Sequence, residues 1–186
     1  MKIRILSILL LFVLLLTACQ SPGVTAGISY NGLPAITPEL KQEIETVFRN
    51  KGMEEFYWEE VVYEDTPLME TIGYYGTYDG YSIFYARYGL GPTVVQYVYI
   101  GDVLLDYDSN GGAVRFFAYK DGELIRLNEA YEKGYVTIET VQKVADLRGQ
   151  RLIDNAQKRI QSHNEKYPED PKEWPPEELK PFLKDK

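Results

Sequence analysis

Paired carboxylates are the side chains of this sequence best placed to do chemistry. Glu54-Glu55, Glu59-Glu60 and Glu64-Asp65 flank the aromatic run Phe56-Tyr57-Trp58. On a strand over 56–63, Phe56, Trp58, Glu60 and Val62 share one face. A Glu60 carboxyl pressed against Trp58 would hold its proton more tightly than usual, as a general acid requires. Glycoside hydrolysis needs a second carboxylate about 5–10 Å away, and a linear sequence does not supply that distance. The plainer reading places Glu60 at a sheet edge or in solvent.

A second group of oxygen donors lies in Asp106-Tyr107-Asp108-Ser109-Asn110-Gly111, which matches the first half of a D-x-D-x-N-G calcium loop. Asp106, Asp108 and Asn110 would be the ligands. The twelfth position is Phe117, not the bidentate Glu that completes such a loop. Val114, Phe116 and Ala118 alternate with Arg115, Phe117 and Tyr119 as a strand would. A hairpin turn at Asn110-Gly111 therefore explains the same residues more simply, and no metal is expected. His163 is the only histidine, in the polar stretch Gln161-Ser162-His163-Asn164. Neither a catalytic triad nor a histidine-based zinc site has its other members nearby. The chain has no P-loop and no GxGxxG, so no nucleotide cofactor is expected. Catalytic, cofactor-binding and metal residues are all expected to be none.

The elements that would position these groups are legible in outline. Thr37-Pro38-Glu39 starts a helix: a capping Thr, Pro in the first turn and an acid behind it. Leu40, Ile44, Val47 and Phe48 then fall on one helical face, and Gly52 is placed to end it. From Phe56 to Leu127 the chain is rich in Tyr, Val, Ile and Phe, residues that suit pleated surfaces. Asp79-Gly80, Asn110-Gly111 and Asp121-Gly122 interrupt it with hairpin signals. Strands are expected near 56–63, 72–78, 81–88, 94–107, 113–119 and 123–127, with a bulge at Gly101-Asp102 in the fourth. A short helix spans Asn128 to Lys133, with Gly134 as its cap. Thr137 caps another that runs through Val141, Val144 and Ala145 and extends to Leu152, Ile153, Ala156 and Ile160. The fold class expected is α+β: an antiparallel β-meander of about five to six strands, with an N-terminal helix and C-terminal helices packed on it.

The N-terminus carries a different kind of information. Lys2 and Arg4 precede an apolar run from Ile5 to Leu16, broken only by Ser7. This run is too short for a spanning helix, which needs about 20 residues, and suits the h-region of a signal peptide. Leu16-Thr17-Ala18-Cys19 resembles the lipobox of bacterial lipoprotein signals. That resemblance implies cleavage before Cys19 and a diacylglyceryl group on its sulfur, with lipid holding the domain to the outer face of a membrane. Cys19 is the only cysteine, so the domain is expected to have neither a disulfide nor a thiolate metal site. Cleavage would remove Lys2 and Arg4 and leave 168 residues with 18 basic and 28 acidic side chains, a balance of −10. Such a field repels nucleic acid and leaves a basic protein or a cation compatible. The expected organisation is a signal peptide over 1–18, a flexible tether over 19–36, one α+β domain over 37–166 and a Pro-rich charged tail over 167–186. In that tail Trp174 is the residue expected to dock on the domain.

Tyr75-Gly76-Thr77-Tyr78-Asp79-Gly80-Tyr81, Asp108-Ser109-Asn110-Gly111-Gly112, Tyr119-Lys120-Asp121-Gly122 and Leu127-Asn128-Glu129-Ala130-Tyr131-Glu132-Lys133-Gly134 form a further pattern. Together they resemble a group of small secreted proteins of clostridial Gram-positive bacteria. The resemblance implies a fold and a compartment and carries no activity. Sixteen tyrosines suit half-buried strands, and any of them on an exposed sheet face would suit a protein or glycan partner. The leading expectation is a lipid-anchored, non-enzymatic binding domain at the cell surface. The alternatives are a carboxylate-based hydrolase of wall glycan using Glu60, and an immunity or inhibitor lipoprotein.

Overall fold

The computed structural model describes residues 33–59, 70–88, 96–108 and 113–183. Helix α1 (Pro38–Asn50) begins as its sequence predicts: the Thr37 hydroxyl accepts from the Leu40 amide, and Gly52 leaves the helix at φ +94°. Among the described residues seven strands follow: β1 (Tyr57–Trp58), β2 (Thr71–Tyr78), β3 (Tyr81–Tyr88), β4 (Gln96–Ile100), β5 (Val103–Asp108), β6 (Ala113–Lys120) and β7 (Glu123–Arg126). Helix α2 (Leu127–Glu132) and the 29-residue helix α3 (Ile138–Lys166) come next, and a short 3-10 helix (Glu177–Phe182) closes the chain. The fold is α+β.

Five strands form one sheet in the order β1-β2-β3-β6-β7, antiparallel except for the parallel β1–β2 pair. Asp79 and Asp121 both take positive φ ahead of a glycine, as the tight turns of the β2–β3 and β6–β7 hairpins require. The sheet is covered on both faces. On one side, Phe48 and Ile44 of α1 pack with Met53, Trp58, Ile72, Phe84 and Ala86. On the other, Tyr75, Ile83, Tyr85, Phe116 and Ala118 meet Leu127 and Ala130 of α2 and Val141, Val144 and Ala145 of α3.

Two expectations about the strands need correction. The long strand over 94–107 is two strands, because Gly101 takes φ +56° and Gly101-Asp102 closes a turn, not a bulge. Among the described residues strands β4 and β5 pair only with each other, as a separate two-stranded sheet, while β3 pairs directly with β6. Among the described residues β5 and β6 belong to different sheets; the turn expected at Asn110-Gly111 lies outside them. Leu33, in the stretch expected to be a tether, is buried in the core on the α3 side.

The C-terminal segment is also more ordered than a Pro-rich tail. Leu179 of the 3-10 helix is 1% exposed, whereas Trp174, the residue expected to dock, is 38% exposed. Phe182 lies against Gly149 of α3, and its ring is 6.1 Å from that of Tyr107. Ring size favoured Trp174 from sequence. Its neighbours Pro175 and Pro176 instead lead into the turn that delivers Leu179 and Phe182.

Candidate functional site

The most concentrated chemistry in the described residues is a buried charged network on the α3 side of the sheet. Two local irregularities build it. In β2, Tyr74 pairs with Phe84 and Gly76 with Ile83, which leaves Tyr75 as the extra residue of a β-bulge. In β5, Leu104 pairs with Tyr99 and Asp106 with Val98, which leaves Leu105 as the extra residue of another. A bulge re-aims the side chains beside it, and both Leu105 and Asp106 are fully buried although adjacent in sequence. Helix α3 supplies Arg148 and Arg151 from the stripe that also carries Val141, Val144 and Ala145. Glu59 enters from the end of β1.

Arg148 is the centre of the network. Its Nε and Nη2 donate to Asp106 Oδ2 at 2.8 and 2.7 Å, and its Nη1 meets Glu59 Oε1 at 2.5 Å. The same Nη1 donates to the Tyr75 hydroxyl at 3.2 Å, and that hydroxyl donates to Glu59 Oε2 at 3.0 Å. The guanidinium carbon sits 4.0 Å from the centre of the Tyr85 ring, a cation–π contact in a water-poor setting. Asp106 Oδ1 accepts from the Tyr107 amide at 2.7 Å. Arg151 Nε lies 3.0 Å from Glu59 Oε1, and its Nη2 donates to the Glu59 carbonyl; its Nη1 is buried without a hydrogen bond. Gly73 makes room for this arrangement, since a Cβ there would collide with the Glu59 carboxylate.

Two arginines and two carboxylates balance. Burial pushes the Tyr75 and Tyr85 hydroxyls well above the usual tyrosine range. Burial also pushes the Asp106 carboxyl up, and Arg148 opposes that shift. Both carboxylates are committed to arginine, so neither offers a free base to a substrate. The arrangement ties β1, β2, β5 and α3 together.

The residues singled out from the sequence are distributed differently. Cys19, Glu60 and Asn110 lie outside the described residues, as does the side chain of Asp108. Asp106 is turned inward onto Arg148 and away from any calcium loop. His163 bonds through Nε2 to the Asp170 carbonyl at 2.8 Å and stitches the C-terminal segment to α3. Among the described residues no helix is long and apolar enough to cross a membrane.

The exposed aromatic residues form the second feature. Tyr97 and Tyr99 of β4 are 40% and 55% exposed, on the face opposite Val98 and Ile100, which pack on the core. Neither makes a ring, cation or hydrogen-bond contact among the described residues. By contrast, exposed Tyr135 stacks on Tyr81 and lies near Lys133, and exposed Tyr167 lies near Lys166 and His163. Compared with protein-family models, with curated proteins and with solved structures, the chain has no match.

Proposed function

We propose that this chain is a lipid-anchored, extracytoplasmic domain that binds a partner and does not transform it. The anchor rests on the order of basic start, short apolar run and Leu16-Thr17-Ala18-Cys19. Binding rests on one structural observation: Glu59 and Asp106 are engaged by buried arginines, while Tyr97 and Tyr99 stand exposed on β4, a strand whose outer edge is unpaired among the described residues. Tyr offers a large contact area at low cost in conformational entropy, which suits recognition.

The hydrolase reading rests on Glu60 alone, because its neighbour Glu59 is held by Arg148 and Arg151. The anchor is tested by growing cells on radioactive fatty acid. Wild-type protein takes up label and Cys19→Ala does not; a mature protein that starts elsewhere with a free thiol overturns the anchor. Turnover of wall glycan by the purified protein, abolished in Glu60→Gln, overturns the binding reading in favour of hydrolysis.

A further inference from the structure

Strand β4 has the sequence Gln96-Tyr97-Val98-Tyr99-Ile100, without a charge or a proline. Natural edge strands are normally protected against pairing by a lysine, a proline, a bulge that twists them away or a covering element. Here the β4–β5 bulge lies in β5, at Leu105, and among the described residues no strand pairs with the outer edge of β4. Among the described residues, the backbone donors and acceptors of that edge have no strand partner, and Tyr97 and Tyr99 beside them are exposed.

The charge around it narrows the occupant. Residues 96–108 contain three aspartates and neither a lysine nor an arginine. Asp106 is neutralised by Arg148, while Asp102 stands exposed in the turn next to β4. The whole chain carries a net charge of −8. A second copy would bring the same negative field, and an anionic lipid surface would be repelled in the same way. An extended basic segment meets every requirement: its backbone pairs with the edge, its side chains alternate, and its cations find the open faces of Tyr97 and Tyr99. The protein already uses this contact internally, with lysines over Tyr78, Tyr81 and Tyr135.

We infer that the outer edge of β4, unpaired among the described residues, is a docking strand for an extended, basic segment of a partner protein, held by strand addition and by cation–π contact with Tyr97 and Tyr99. This deepens the binding reading and rests on it. A five-residue strand spans only about 17 Å, so the contact is a weak one unless the partner adds further surface.

The probe is a fluorescent synthetic peptide of alternating lysine and valine, titrated against the full chain in a non-ionic detergent. It should bind at low salt and weaken as salt rises, while its glutamate–valine counterpart does not bind. The double variant Tyr97→Ala/Tyr99→Ala should bind at least tenfold more weakly. Tyr97→Lys, which places a like charge on the edge and keeps the bulk of the side chain, should do the same. Hydrogen exchange should show protection by the peptide concentrated in residues 96–100. Protection elsewhere, equal binding of the glutamate peptide or no binding at all would overturn the docking strand. So would self-association lost in Tyr99→Ala, or protection of 96–100 by phosphatidylcholine vesicles alone. None of these outcomes touches the test of glycan turnover, so the docking strand can fail while the binding domain stands.

Discussion

Arg148 occupies a position that the periodicity of its helix assigns to the core. Val141, Val144 and Ala145 mark the buried stripe of α3, and the next positions on it are Arg148 and Arg151. That substitution of cations into an apolar stripe is a signal in the sequence, and it is the one that an apolar pattern alone passes over. The partners are not legible: Asp106 is 42 residues away and Glu59 is 89, and the bulges that aim Asp106 and Tyr75 inward have no local signature. Losing one member of a buried pair costs more than the pair contributes, because the other charge is left without compensation. Arg148→Met should therefore lower stability by about 3–5 kcal/mol, read from the midpoint of urea denaturation; a loss below about 1 kcal/mol would class the network with exposed ion pairs. Asp79 is the legible counterpart. The Asp-Gly pair forecasts its turn, and the structure adds a second use, since its Oδ2 accepts from the Thr137 amide at 2.9 Å and the Thr140 hydroxyl at 2.8 Å at the start of α3. The bond from the Thr137 amide is the main reason its carboxyl lies below the usual range. A lowered folded-state value means that the unfolded chain binds the proton more readily, so stability rises with pH. The contribution is complete above about pH 4, the ordinary aspartate value, and is lost as the pH falls through the folded-state value. The melting temperature of Asp79→Asn should thus fall below wild type at neutral pH, with the gap closing on acidification. A gap independent of pH would remove the charge from the account.

At the scale of elements, capping and turn chemistry carry most of the agreement between sequence and structure. Thr37 and Thr137 cap the helices they were expected to cap, and Gly52 and Gly134 both leave their helices at positive φ. These signals are local, so they survive whatever the strands do. Strand pairing is not local, and the β4–β5 hairpin shows the difference. Gly101-Asp102 reads as either a bulge or a turn, and only the packing of Ile100 and Leu105 against α2 and α3 decides for the turn. The C-terminal segment differs from its sequence expectation for a related reason: its composition is that of a solvated tail, yet Leu179 is buried and Phe182 lies against Gly149 of α3. Gly149 makes sense in this light, since a glycine costs about 1 kcal/mol inside a helix and here it lets the Phe182 ring approach the α3 backbone. Leu179→Ala should then cost about 2–5 kcal/mol, the range for a buried leucine. Trp174→Ala should cost about 1 kcal/mol or less, as for a surface site. The reverse ranking in thermal denaturation would put Trp174 back as the docking residue.

The whole molecule is organised by a sheet without a solvent face. The run Ser82-Ile83-Phe84-Tyr85-Ala86 is buried throughout, and a run that does not alternate with polar residues is the sequence signature of a strand covered on both sides. That signature, set beside helices at both ends of the chain, makes the α1–sheet–α3 layering legible, and it accounts for the tyrosines. Tyr75, Tyr85 and Tyr119 are core residues, so these three present no ring to solvent. The two hydrophobic cores share β3 and β6: Ile83 and Tyr85 face α3 while Phe84 and Ala86 face α1, and Phe116 and Ala118 alternate with Phe117 and Tyr119 in the same way. Neither core can lose its packing while these two strands keep theirs, because each strand residue that swings out on one side shifts its neighbours on the other. Unfolding should therefore be a single transition. Trp58 reports on the α1 side, where it packs near Phe84 and donates to Glu45 at 2.9 Å. Among the described residues the helical content comes mostly from the 29 residues of α3 on the opposite side, which contribute to the far-ultraviolet signal. In a Trp174→Phe background, which leaves Trp58 as the only tryptophan, fluorescence and circular dichroism should melt together. Phe48→Ala, which opens the α1 side alone, should move both curves down by the same amount. Separate midpoints, or a shift in the fluorescence curve only, would mean that the two faces of the sheet unfold independently.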